Sequence, residues 1–243
     1  MLDNKFKLDN RFKVYLIFSS VITLFWSIMG FGEFGLILWL HFVAISFYVC
    51  CNKKLLVKIG KIDVIDIFYF FLTFFSGQIL GMFLNITVGD TNFTQLQNMM
   101  SNNFTLILII TLFTAPLAEE IFFRGIIYST LKKTLPVSFS RAIQAILFTL
   151  FHGTLTHLCP TFIFALFNAY LFDKYKNLKV SMISHICYNA CSVLLPNLMP
   201  IPINNVTVVT SSLVFVSLSL YSLKSKYNQM EFFNDLSILE TLR

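Results

Sequence analysis

Charge is what this sequence has least of. Only 12% of its 243 residues are Asp, Glu, Lys or Arg, where a soluble domain carries about 25%. Turn formers are thin as well, with 9 Gly and 6 Pro. Apolar residues make up 56% of the chain, and the mean hydropathy is +0.74. So little polar surface cannot cover a water-soluble globule, and the lipid bilayer becomes the natural solvent. No Pro/Gly/Ser-rich linker, charge block, internal repeat or low-complexity tract divides the chain, so one integral membrane domain over 1–243 is expected. Although the formal net charge is +6, no basic run of the nucleic-acid-binding kind occurs, which argues against such a partner. The five cysteines (Cys50, Cys51, Cys159, Cys187, Cys191) form no C-x-x-C pair and read as small buried hydrophobes. H-E-x-x-H, G-x-S-x-G and a transmembrane G-x-G-D are absent, and Gly89-Asp90 falls in a polar loop as a turn.

What is present is a series of long apolar runs. A helix needs about 20 apolar residues to cross a bilayer, and unbroken runs are not the alternating strands of a barrel. Spans are expected near Val14–Phe31, Phe34–Cys51, Ile62–Leu84, Phe104–Leu131, Ala142–Thr156, Leu158–Phe172, Val180–Leu195 and Ile203–Tyr221. The fold class is therefore all-α: a polytopic bundle of about eight transmembrane helices. The first run lacks a small-residue cleavage site and is expected to be a retained span. Pro116 should bend the long fourth span. With eight spans, every Lys and Arg of the 18 except Arg124 falls on one side. Cytoplasmic loops are enriched in these residues, which places both termini in the cytoplasm. The opposite loops carry no Lys or Arg. The largest, Asn85–Asn103, holds two N-x-[ST] sequons, at Asn85 and Asn92, read as chance in a Phe/Asn/Lys/Ile-rich bacterial vocabulary. The expected location is a bacterial cytoplasmic membrane, crossed several times.

Ionisable residues inside such spans cost at least a few kcal/mol and imply function by default. The fourth span holds Glu119, Glu120 and Arg124 in AEEIFFRG. Glu120 and Arg124 are i and i+4 on one helical face, so they can pair. Glu119 is rotated about 100° away, with no local cation. It suits general-base or general-acid work. The fifth span holds His152, and the seventh holds His185 and Asn189 one turn apart. At about 1.5 Å per residue, these groups lie roughly 9–18 Å from the basic edge on three helices. Together they could activate a water and stabilise an oxyanion. Other polar residues read as structural. His41 and His157 stand alone. Asp63 and Asp66 favour a helix N-terminus. Gln78, Gln144 and Asn168 suit interhelical hydrogen bonds.

At these residues the chain resembles the CPBP family, the CAAX-protease and bacteriocin-processing membrane proteins, also called Abi. The family's E-E-x-x-x-R is matched by Glu119, Glu120 and Arg124. Its F-x-x-x-H is matched by Phe148 and His152, and its H-x-x-x-N by His185 and Asn189. The motif-bearing core spans 104–196. The resemblance implies an intramembrane endopeptidase acting on a membrane-associated peptide or protein, of the bacteriocin or signalling-peptide maturation class. In that analogy Glu119 and His152 activate the water, His185 and Asn189 hold the oxyanion, and Arg124 holds Glu120. Glutamate-type and metal-dependent mechanisms both stay open, since Glu119, His152 and His185 could ligate a zinc ion. The other function class is a non-catalytic membrane partner, such as a bacteriocin self-immunity or regulatory scaffold.

Overall fold

The computed structural model describes residues 59–88, 104–152, 156–198 and 202–224. All regular elements among them are helices, in line with the all-α expectation. Helix α1 runs Val64–Val88. The next segment is one long helix of changing pitch. It comprises α2 Phe104–Ile109, a π-helical turn π1 Ile110–Thr114, α3 Ala115–Glu120, a second π-helical stretch π2 Ile121–Tyr128, and α4 Ser129–Leu131. Then come α5 Val137–Phe151, α6 Leu158–Tyr175, α7 Leu178–Leu198 and α8 Asn205–Lys224. The expected first two spans, His41, Cys50 and Cys51 lie outside the described residues. Of the described helices, α1 and α8 are individually long and apolar enough to cross a membrane.

One local expectation gains detail and one needs correction. Pro116 lies in Ala115–Glu120, a short α-helical insert between two π-helical stretches. Such wide turns relieve a clash or an unmade backbone bond, and they recur at functional sites. The fifth helix was expected over Ala142–Thr156, with Arg141 in the loop. It starts instead directly after Pro136 and ends at Phe151, so Arg141 lies within it. Pro136 has an extended ψ of 145° and opens the helix without a donor to satisfy.

Helix ends elsewhere follow from their capping residues. α6 stops at Lys176, which takes a left-handed φ of 50°, the usual C-terminal exit. Asn177 then accepts the Lys179 N–H at 3.0 Å and starts α7. Before α8, the Asn204 side chain accepts the Thr207 N–H, and Thr207 Oγ1 accepts the Asn204 N–H, both at 3.0 Å. This reciprocal cap satisfies two orphan donors at once.

Helix α6 is the hub of the bundle. Its residues from Ile163 to Asp173 are all buried, as expected of a helix that is apolar all round. It packs against α1, α5, α7 and α8. Against α1 the approach is close: a Cβ on Gly77 would lie 2.8 Å from Pro160 Cα, and one on Gly81 would lie 2.6 Å from the Thr156 carbonyl oxygen. Gly77-x-x-x-Gly81 is therefore a small-residue face that lets two backbones touch.

One end of the bundle is tied by charge. Asp173 on α6 meets Arg141 of α5 at 2.6 Å and Lys132, just after α4, at 2.6 Å. The Tyr128 hydroxyl donates to the same carboxylate, and Arg141 also donates to the Ser222 carbonyl of α8. Nearby, Asp66 in the first turn of α1 accepts from Lys174 at 2.7 Å and Tyr175 at 2.5 Å. The basic residues Lys132, Arg141 and Lys174, expected to share one face, thus gather at one end of the described helices. Burial alone would push the Asp173 carboxyl up, but Lys132 and Arg141 outweigh it and hold the group below the usual carboxylate range.

Candidate active site

The site begins with a buried ion pair. Arg124 and Glu120 are both fully buried, and Arg124 Nη1 donates to Glu120 Oε1 at 2.8 Å. The i, i+4 relation predicted from sequence survives the π-helical pitch. Arg124 also donates through Nη2 to the Ala165 carbonyl of α6 at 3.3 Å, and its guanidinium carbon lies 4.7 Å from the centre of the Phe148 ring. A desolvated cation over a ring face gains about 2 kcal/mol. Three contacts therefore fix the arginine and leave Glu120 pinned.

Glu120 in turn orients His185. Glu120 Oε1 lies 2.8 Å from His185 Nδ1. A carboxylate can only accept, so Nδ1 carries the proton and Nε2 faces the other way. It faces Glu119: Nε2 of His185 stands 3.8 Å from Glu119 Oε2.

His152 reaches the same oxygen by a different route. It terminates α5, and the last carbonyls of a helix have no intrahelical partner. The Phe148 carbonyl is one of these, and His152 Nδ1 satisfies it at 2.8 Å. A carbonyl again accepts, so Nδ1 is the protonated nitrogen and Nε2 holds the lone pair. His152 Nε2 lies 3.9 Å from Glu119 Oε2. Phe148 thus serves twice, through its carbonyl to His152 and through its ring to Arg124.

Two lone-pair-bearing imidazole nitrogens therefore approach one carboxylate oxygen, with a gap between each and Glu119 Oε2. Glu119 Oε2 has no hydrogen-bond partner among the described residues. Separations of 3.8–3.9 Å are too long for direct hydrogen bonds. They are short enough for one water to touch both an imidazole and the carboxylate. The gap opens on one side, for the His152 side chain is 25% exposed, Glu119 11% and His185 4%. Glu119, His152 and His185 supply the donor types of a zinc site. Yet no group of three such side chains among the described residues is arranged to hold a metal. Donors sharing a tetrahedral zinc at about 2.0–2.1 Å would stand only about 3.3 Å apart. The spacing fits a water.

Asn189 lies one turn beyond His185 on α7, and its Nδ2 donates to the Thr111 carbonyl of π1 at 2.8 Å. It thereby ties the third motif helix to the first, two turns before Glu119. The amide has a second N–H. Five of the six predicted residues, Glu119, Glu120, Arg124, His152 and His185, form one connected cluster. Asn189 is joined to it through backbone.

Comparison with known proteins bears on this cluster directly. Residues 101–191 match the family model described as type II CAAX prenyl endopeptidase Rce1-like. This agrees with the CPBP resemblance, and the matched stretch runs from before Glu119 to beyond Asn189. That family is one of membrane-embedded proteases. No curated protein and no solved structure matches the chain. Sequence reasoning missed the supporting groups around this cluster. Phe148 was seen only as a motif letter, and the Thr111 carbonyl carries no side-chain signal at all.

Proposed function

We propose that this protein is an intramembrane endopeptidase that hydrolyses a peptide bond in a membrane-associated peptide, using water activated by Glu119 and His152. The observation that carries this reading is the gap between Glu119 Oε2 and the two imidazole Nε2 atoms, at 3.9 and 3.8 Å. A water there hydrogen-bonds to Glu119 and to the lone pair of His152. As its oxygen attacks the substrate carbonyl, its proton passes to this pair. Collapse of the tetrahedral intermediate breaks the C–N bond, and the same pair returns a proton to the leaving amine. Product carboxylate and amine result, with atoms and charge in balance.

His185 and Asn189 serve the oxyanion. With Nδ1–H committed to Glu120, His185 donates through Nε2 only when it holds both protons, and Glu120 supplies the counter-charge. Arg124 keeps Glu120 in place for that task. Asn189 offers its second amide proton while the first holds Thr111. A maturation substrate, such as a bacteriocin or signalling-peptide precursor, would reach the open side of the gap from the membrane.

The test is purified protein in nanodiscs with a candidate precursor peptide, read by mass spectrometry. His152→Ala should lower turnover by about 10²–10⁴-fold, and Asn189→Ala by about 10²–10³-fold. Both variants should still bind peptide. Cleavage should persist with chelator; its loss on chelation and return with zinc would replace the water-only mechanism by a metal-dependent one.

A further inference from the structure

Two helices carry facing stripes of functional side chains. On α5 the residues Arg141, Gln144, Phe148 and His152 follow one another at three or four positions, so they share a face. On the long motif helix Glu120, Arg124 and Tyr128 do the same. The stripes touch at two levels, Phe148–Arg124 and Arg141–Tyr128, and a third contact lies beside them at Glu119. His152 meets Glu119 at 3.9 Å, Phe148 lies under Arg124 at 4.7 Å, and Arg141 Nε donates to the Tyr128 hydroxyl at 3.3 Å. Gln144 sits between the last two rungs, one turn from each.

Gln144 is the anomaly. It is fully buried, yet neither its Oε1 nor its Nε2 has a partner among the described residues. The same holds for Arg124 Nε and Glu120 Oε2, farther along the ladder. The interhelical hydrogen bond expected of Gln144 from sequence is not made. A buried amide left dry is costly, and buried polar atoms are ordinarily satisfied by protein or by ordered water. An apolar residue here would be cheaper.

We infer that Gln144 is an internal hydration site, holding ordered water inside the bundle between the Arg124–Phe148 rung and the Arg141–Tyr128–Asp173 network. The two polar atoms of Gln144 and Arg124 Nε on the adjoining rung, without partners among the described residues, supply donors and an acceptor of the kind such water needs. The ladder of residues leads from the Glu119–His152 gap to the basic end of the bundle. Resting on the peptidase reading, its role is to let water and protons exchange with that gap through the protein rather than through lipid.

Radiolytic hydroxyl labelling of the parent protein in nanodiscs tests this, because radicals formed from bound water mark the side chains beside it. Phe148 and Tyr128 should be labelled despite their burial, while the equally buried Phe164 stays unmarked. Gln144→Leu should erase the label on both and lower the melting midpoint. Phe148 and Tyr128 as unmarked as Phe164, with Gln144→Leu melting higher by about 2–4 °C or more, as removal of a dry orphan amide would give, would overturn the inference. Labelling of the parent decides even where the variant does not accumulate. Cleavage measured in parallel should show a lower kcat at unchanged KM for Gln144→Leu. A labelled ladder in a protein that cleaves nothing would count against the peptidase reading and leave the hydration site standing.

Discussion

Arg124 is the residue on which the site's geometry rests. It is fully buried, pairs with Glu120 at 2.8 Å, and covers the Phe148 ring. Its removal leaves a carboxylate buried without its cation, which typically costs about 3–5 kcal/mol. Arg124→Ala should therefore reduce the amount of folded protein as well as activity, seen as lower yield in detergent and a depressed melting midpoint. A variant that accumulates and melts like the parent would remove the structural role. At this scale much was legible in the sequence, because the chemistry is local. Glu120 and Arg124 lie four residues apart, and His185 and Asn189 likewise. The partner of His152 Nδ1 was not legible, since it depends on α5 ending at that residue. Nor was the loss of a partner for Gln144, which no spacing rule reveals.

Among the elements, the described helices fall where apolar runs and caps place them, with one departure at the start of α5. Arg141 looked like a loop cation in a basic cluster. It lies inside α5 because Asp173 of α6, Tyr128 of π2 and the Ser222 carbonyl of α8 converge on it. Such convergence arises from the register of four helices and leaves no trace in any one of them. The Gly77–Gly81 contact differs: its small-x-x-x-small spacing inside an apolar helix is readable in advance. The Asp173 network makes a pH prediction. Its carboxyl titrates lower in the folded protein than in the unfolded chain, where an aspartate has a value of about 3.9. The stabilisation is then fully present above that value and lost as pH falls through the lower folded value. Melting midpoints followed from neutral pH to below about pH 4 should fall at the acid end. Asp173→Asn should melt lower at neutral pH and lack that acid component. Parallel curves for the two proteins would refute the linkage.

For the whole molecule, composition pointed to a bilayer and to the helical class, while the path of the chain across the membrane rests on where the basic residues fall. Lys132, Arg141 and Lys174, paired with Asp173, Asp63 and Asp66 at one end of the described helices, support a shared side for these basic residues. Cysteine labelling in intact cells, on a cysteine-free background, extends this to the bilayer. An impermeant reagent should modify Asn205→Cys at the start of α8 and spare Lys133→Cys between α4 and α5. Modification of Lys133→Cys from outside would break the topology with both termini in the cytoplasm.

The central claim is that Glu119 is the base of a hydrolytic site and not one pole of a binding scaffold. Glu119→Gln keeps the shape and burial of the side chain and removes the proton acceptor. Parent and variant, purified into nanodiscs, should bind the same precursor peptide equally, and the peptide should be followed by mass spectrometry under single-turnover conditions. The expected result is cleavage by the parent and a loss of about 10²–10⁴-fold in the variant. Cleavage by Glu119→Gln at the parent's rate would contradict the account.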